Sequence, residues 1–92
     1  MATLIKTDKT QTTVTPANGM TFTIQELYTL LDCLSIEVIP TNTRFWGVLD
    51  EHSKINDKRM NSTATSMCSQ HLTYGDYIAG DMAVMTDMEL NG

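Results

Sequence analysis

Ninety-two residues, 41% of them hydrophobic and 18% charged, suffice for one small folded domain and exclude a disordered chain. A net charge of −5 and a pI near 4.6 exclude bulk binding to DNA or to an anionic membrane, because counterion release needs a basic surface. The opening MATLIKTDKT lacks the apolar run of a secretion signal and no stretch is long enough to span a bilayer, so the cytoplasm is the expected compartment.

In chain order, Ala2–Thr15 is rich in threonine and β-branched residues and predicts two short strands, Thr3–Thr7 and Gln11–Thr15, turning at Asp8-Lys9. Pro16 and Asn18-Gly19 stop the second strand. Thr23 and Glu26 then have the spacing of a capping box, and Phe22 with Leu27 that of a hydrophobic staple. Ile24, Leu27, Leu30, Leu31 and Leu34 form one apolar stripe, so the main helix is expected over 23–34. No glycine marks its end. Ile36, Val38 and Ile39 read as a strand closed by Pro40. Thr41-Asn42 turns into a second strand, Thr43–Asp50, with Phe45 and Leu49 on one face and Trp46 and Val48 on the other. Both faces of this hairpin need cover: the helix takes one, and the rest of the chain or a second subunit takes the other.

Asp50–Asn61 is polar and reads as a long loop, a frequent place for function. A short helix follows over 62–71, capped by Asn61 or Ser62, with Ala64, Met67, Cys68 and His71 on one face. The last strand is expected over Tyr77–Thr86 with Gly80 as a bulge or close-approach point, and the acidic tail 87–92 is expected to fray. The fold class is therefore α+β: a single domain, 1–92, with a mostly antiparallel sheet of about five strands. An N-terminal hairpin covers 1–20 and the core 21–86.

Cys33 and Cys68 both fall on the expected helices and read as buried, reduced thiols. With His52 and His71 far apart in sequence and no Cys-x-x-Cys pair, no metal site or cofactor is expected. Lys54, Lys58 and Arg59, joined by Arg44, hold four of the six basic residues. Beside an aromatic, Trp46 or Tyr74, they suit a phosphate-bearing small molecule, and Asn61, Thr63 and Thr65 add neutral donors. The same residues also fit a plain solvated loop, with Asn61 only a helix cap. His71-Leu72-Thr73 matches one copy of the H-x-T motif that phosphoesterases use in pairs, and closing a helix is the ordinary role of such a histidine. Asp50, Glu51, Asp76 and Asp81 have no spacing that makes them a catalytic group.

The succession T-F-T-I-Q-E-L (Thr21–Leu27), I-E-V-I-P (Ile36–Pro40), D-E-x-x-K-x-N (Asp50–Asn56), N-x-x-A-T (Asn61–Thr65) and G-D-Y-I-A-G-D-x-x-V (Gly75–Val84) resembles a small uncharacterised family carried by bacteriophages and other mobile elements. The chain departs from that pattern at Cys33-Leu34 and Asp57-Lys58, where glycines would be usual, and at Arg59-Met60, where a leucine-proline step would be. The resemblance implies a phage accessory protein acting on the host. The expectation is a non-enzymatic counter-defence factor, a homo-oligomer that sequesters a cyclic or ADP-ribose-type nucleotide against Arg44, Trp46, Lys54, Lys58, Arg59, Asn61 and Thr65. The alternatives are an interaction protein gripping a host protein through the Trp46/Val48 face, and a small phosphodiesterase using His71 and Thr73.

Overall fold

A Thr-x-x-Glu cap sets where the main helix starts. In the computed structural model, which describes residues 1–91, Glu26 N–H donates to Thr23 Oγ1 at 3.2 Å and Thr23 N–H to Glu26 Oε1 at 2.8 Å, closing the capping box. Helix α1 runs Ile24–Leu31, shorter than the stripe implies. It stops because Asp32 takes the left-handed conformation, φ 51° and ψ 60°, that a glycine would ordinarily supply. Asp57 does the same in the loop, with φ 55°. Cys33 therefore lies just beyond the helix and is half-buried, whereas Cys68 is buried. Burial pushes both thiols up, which keeps them protonated and inert.

Five strands, β1 (Ala2–Ile5), β2 (Gln11–Val14), β3 (Ile36–Pro40), β4 (Trp46–Asp50) and β5 (Met82–Met85), form one antiparallel sheet in the order β2-β1-β5-β4-β3. The fold is α+β. Alternation gives the sheet two apolar faces. Ala2, Leu4, Val48, Ala83 and Met85 pack on Phe22, Leu27 and Leu31 of the α1 side. Ile5, Leu49 and Met82 face Ala64, Cys68 and Ile78 instead. The second face of the hairpin is thus covered by the same chain, through helix α2 (Ser62–Met67) and the segment before β5. Gly47 belongs to this face: a Cβ there would come within 2.7 Å of Met82 Sδ.

Beyond the end of α1, other boundaries differ from the sequence expectation: the first strand runs Ala2–Ile5 and not Thr3–Thr7, and the second ends at Val14 and not Thr15. β4 starts at Trp46, not Thr43, because threonine hydroxyls wind residues 41–45 into a turn: Thr41 Oγ1 donates to Phe45 O at 2.8 Å and Phe45 N–H to Thr43 Oγ1 at 3.2 Å. Helix α2 ends at Met67 and continues only as a 3-10 turn, Ser69–His71. Asn42, from the hairpin turn, plugs that end: its backbone N–H donates to Met67 O, its Nδ2 to Ser66 O and Ser69 Oγ, and its Oδ1 accepts from Gln70 N–H. β5 begins five residues late because Gly80, at φ +78°, breaks the extended run. Before it, Ala79 only bridges Met60, and Asp76 lies outside any strand. The tail is ordered as a short helix, α3 (Asp87–Asn91). A second Thr-x-x-Glu cap starts it, with Thr86 N–H donating to Glu89 Oε1 at 3.0 Å and Glu89 N–H to Thr86 Oγ1 at 3.2 Å. Phe22 N–H then ties α3 to the start of α1 through Glu89 O at 2.8 Å.

Candidate functional site

The seven residues expected to share a ligand do not line one common site. Arg44 is exposed in the 41–45 turn, its guanidinium 5.5 Å from the centroid of the Phe45 ring. Trp46 opens β4 on the α1 side. It lines an apolar groove of about 470 Å³ with Phe22, Ile24, Leu27, Ile36, Val38 and Leu90. The loop carrying Lys54 leaves from the other end of β4, about 13 Å further along a strand of this length.

Three of the seven hold the fold together. Lys58 Nζ pairs with Asp50 Oδ2 at 3.0 Å and donates to the Leu31 and Asp32 carbonyls at 2.9 and 2.7 Å. It is the cation that α1 lacks in its own last turn. Asn61 is fully buried. Its Oδ1 caps α2 by accepting from Ala64 N–H at 3.0 Å, while Nδ2 donates to Ile5 O at 2.9 Å and Gly80 O at 3.0 Å. Thr65 Oγ1 donates to Asn61 O at 2.8 Å and accepts from Ile78 N–H at 2.9 Å. Arg59 is exposed beside Thr7, Lys58, Gly80 and Asp81 on a shallow depression of about 240 Å³.

Lys54 alone of the seven lines a partly enclosed cleft of about 390 Å³ between the 51–55 loop and the segment 72–79. Ile39, Leu49, Leu72, Ile78 and Ala79 make its floor; Glu37, Glu51, His52, Ser53, Asp76 and Tyr77 complete the polar wall. Lys54 Nζ is paired with Asp76 and sits 4.4 Å from the centroid of the Tyr77 ring. The pairing with Lys54, helped by the Tyr77 amide, holds the Asp76 carboxyl below the usual carboxylate range. His52 Nε2 lies 3.5 Å from Glu51 Oε1. With the Lys54 charge matched by Asp76, Glu37 and Glu51 leave the cleft with an excess of negative potential.

Asp50 roots the loop that forms one wall. It is buried, accepting from His52 N–H at 2.9 Å and Asn56 Nδ2 at 3.2 Å besides Lys58. Burial pulls its carboxyl upward, but the His52 amide, Lys58 and Asn56 outweigh that and hold it below the ordinary value. Sequence reasoning gave no role to Glu37 or Tyr77 and set His52 and Asp76 aside as ligands or catalytic groups, yet the four come together from three separated segments. The one local signal was the Asp50-x-His52 step, an Asx turn that folds the loop back. His71 ends the 3-10 turn, exposed, and lines none of the cavities described among these residues. No group of three or more His, Cys, Asp or Glu that could hold a metal ion occurs among the described residues, and none of their helices is long and apolar enough to cross a membrane. No protein-family model, curated protein or solved structure matches this chain.

Proposed function

We propose that the protein is a non-catalytic binding protein that sequesters a small amphipathic molecule in the Lys54/Tyr77 cleft, acting as a phage accessory factor in the sense that its motif order implies. The observation that carries this reading is the cleft itself: a partly enclosed space in which Ile39, Leu49, Leu72, Ile78 and Ala79 lie beside charged and aromatic groups, a mixture that suits a small ligand. Its charge selects among ligands. The one ammonium is already matched by Asp76, and Glu37 and Glu51 repel a phosphate. A nucleoside-like ring system or an organic amine is a better fit than the phosphodiester end of a nucleotide.

Thermal unfolding with cyclic and ADP-ribose-type nucleotides, their dephosphorylated nucleosides and simple amines tests this. A ligand at a hundred times its dissociation constant adds about 2.7 kcal/mol, a shift of roughly 10 °C or more for a domain this small. The nucleosides or amines should stabilise more than the phosphorylated forms, and Glu37→Lys should abolish the shift. No stabilisation by any of them, or a preference for phosphate, rejects the reading.

A second reading has its own observation. The Trp46 groove is apolar, and Ile24 and Val38 on its rim are 46% and 40% exposed, which suits a helix or strand of a host protein. Ile24→Glu should then lose a stoichiometric partner that the unaltered protein retains from host lysate. Equal retention by both proteins counts against it.

A further inference from the structure

The outer edge of β3 has a pattern of its own. The pairing with β4 is antiparallel, and its ends are marked by Thr41 N–H donating to Phe45 O at 3.4 Å and Glu51 N–H donating to Ser35 O at 3.1 Å. In an antiparallel ladder hydrogen-bonded and non-bonded pairs alternate. Glu37 and Ile39 therefore exchange bonds with Leu49 and Gly47, and the N–H and C=O groups of Ile36 and Val38 point out of the sheet. Pro40 presents only its carbonyl there. β3 is terminal in the strand order, so this edge is unpaired among the described residues.

We propose that β3 pairs with β3 of a second copy of this chain, antiparallel and centred on Val38, making one ten-stranded sheet. A two-fold axis at Val38 lets the two valines exchange both backbone bonds, and each Ile36 N–H meets the Pro40 carbonyl of the other chain. The donor that proline lacks falls at the ends of the pairing. Sliding the register toward the C-terminus by two residues brings Pro40 to the middle, so the imide disfavours that alignment. The edge is self-complementary about that point, which is the reason for choosing a copy of the chain over a foreign strand.

The side chains agree. Only Glu37 among the five β3 residues is charged, so a chain of net charge −5 can meet itself here with little repulsion. In this register Glu37 lies opposite Ile39 of the other copy, not opposite its own equivalent. Val38 packs on Val38 on the α1 side, and Leu34, 92% exposed just before the strand, reaches the partner's 41–43 turn. The other open edge, β2, offers exposed Gln11, Thr12 and Thr13 and gains no apolar burial from pairing. Glu37 and Ile39 both line the ligand cleft, so the copy's Ile39 and Glu37 extend its floor and wall. Each cleft is completed at its β3 side by the other chain.

Sedimentation velocity over about 1 to 200 µM covers the affinity of a small interface of this kind. The expected species has twice the 10.3 kDa mass of the chain. Val38→Pro removes an outward N–H without touching the β3–β4 ladder and should weaken association by about tenfold or more. Val38→Lys, which places two ammonium groups across the axis, should do the same and covers the case in which the proline variant does not fold. Thr13→Lys, on the β2 edge, should leave the mass unchanged. A single-chain mass throughout the range overturns the proposal, as does a dimer that survives in a folded Val38 variant or one that Thr13→Lys abolishes. None of these outcomes depends on a ligand, so the pairing and the cleft stand or fall separately.

Discussion

Asn61 offers the sharpest test of how this fold is held. Its side chain joins three elements by caps and cross-links that no other residue duplicates: α2 through Ala64, β1 through Ile5, and the approach to β5 through Gly80. Truncation to alanine removes an N-cap worth about 1 kcal/mol and strips a donor from two carbonyls, at about 1–3 kcal/mol each where no water reaches them. The expected loss is about 3–7 kcal/mol. That is a large part of the roughly 5–14 kcal/mol that a domain of this length has in total. Asn61→Asp keeps the shape and the cap but turns an oxygen toward the Ile5 and Gly80 carbonyls. Burial and those carbonyls raise the folded pKa of the new carboxyl above its unfolded value. Its penalty is then complete above the folded pKa and shrinks as pH falls toward the unfolded value of about 3.9.

Urea unfolding followed by far-ultraviolet circular dichroism and by Trp46, the one tryptophan, measures both variants. At about 1 kcal/mol per molar urea, the alanine midpoint should fall by about 3 M or more. The gap between Asn61→Asp and the unaltered protein should narrow by about 1–3 kcal/mol from pH 7 to pH 5. A loss below about 1 kcal/mol for alanine, or a gap flat across that pH range, refutes the reasoning.

Further expectations concern the other anchors. Lys58→Met leaves Asp50 buried without its cation and should cost about 3–4 kcal/mol, of which the double variant with Asp50→Asn recovers about half in denaturant titrations. Glu89 lies below the ordinary value near 4.5: burial raises it, but the Thr86 amide, the Met1 amino group and the Thr86 hydroxyl outweigh that. Its contribution is present above the unfolded pKa and lost as pH falls through the lower folded one. Glu89→Gln should therefore flatten the acid limb of the stability profile below about pH 4.5, by up to about 1.4 kcal/mol per pH unit. Asp57→Gly should shift stability by less than about 1 kcal/mol, whereas Asp57→Val at the same φ of 55° should cost about 2 kcal/mol. Calorimetric unfolding that ranks the two alike would show that the backbone conformation at 57 is not what matters.

What could be read ahead of the structure was local. The Thr23–Glu26 cap and the Asn61 cap need only neighbours in sequence, and both stand where expected; the apolar repeat of α1 holds only as far as Leu31, and Leu34 falls beyond the helix, exposed. The Thr86-x-x-Glu89 spacing carried the same signal, but an acidic terminus invited the assumption of fraying. The long-range roles were not legible. Lys58 reaches carbonyls 26 and 27 residues away, and Asn61 reaches one 56 residues away. Nothing in the composition of a polar loop distinguishes such anchors from solvated side chains. The left-handed turns at Asp32 and Asp57 were hidden for a related reason: the glycines that advertise such turns are replaced by aspartates. The cleft draws on β3, the loop and the segment before β5, so it exists only once the chain has folded.

The loop over the cleft is fixed unequally at its two ends. Asp50 and Lys58, 3% and 20% exposed, moor its base, whereas Lys54 and Asp76, 46% and 41% exposed, fasten its outer lip to the opposite wall. Dissolved salt weakens an exposed pair far more than a sheltered one. Raising the ionic strength should therefore loosen the outer lip of this loop before its base.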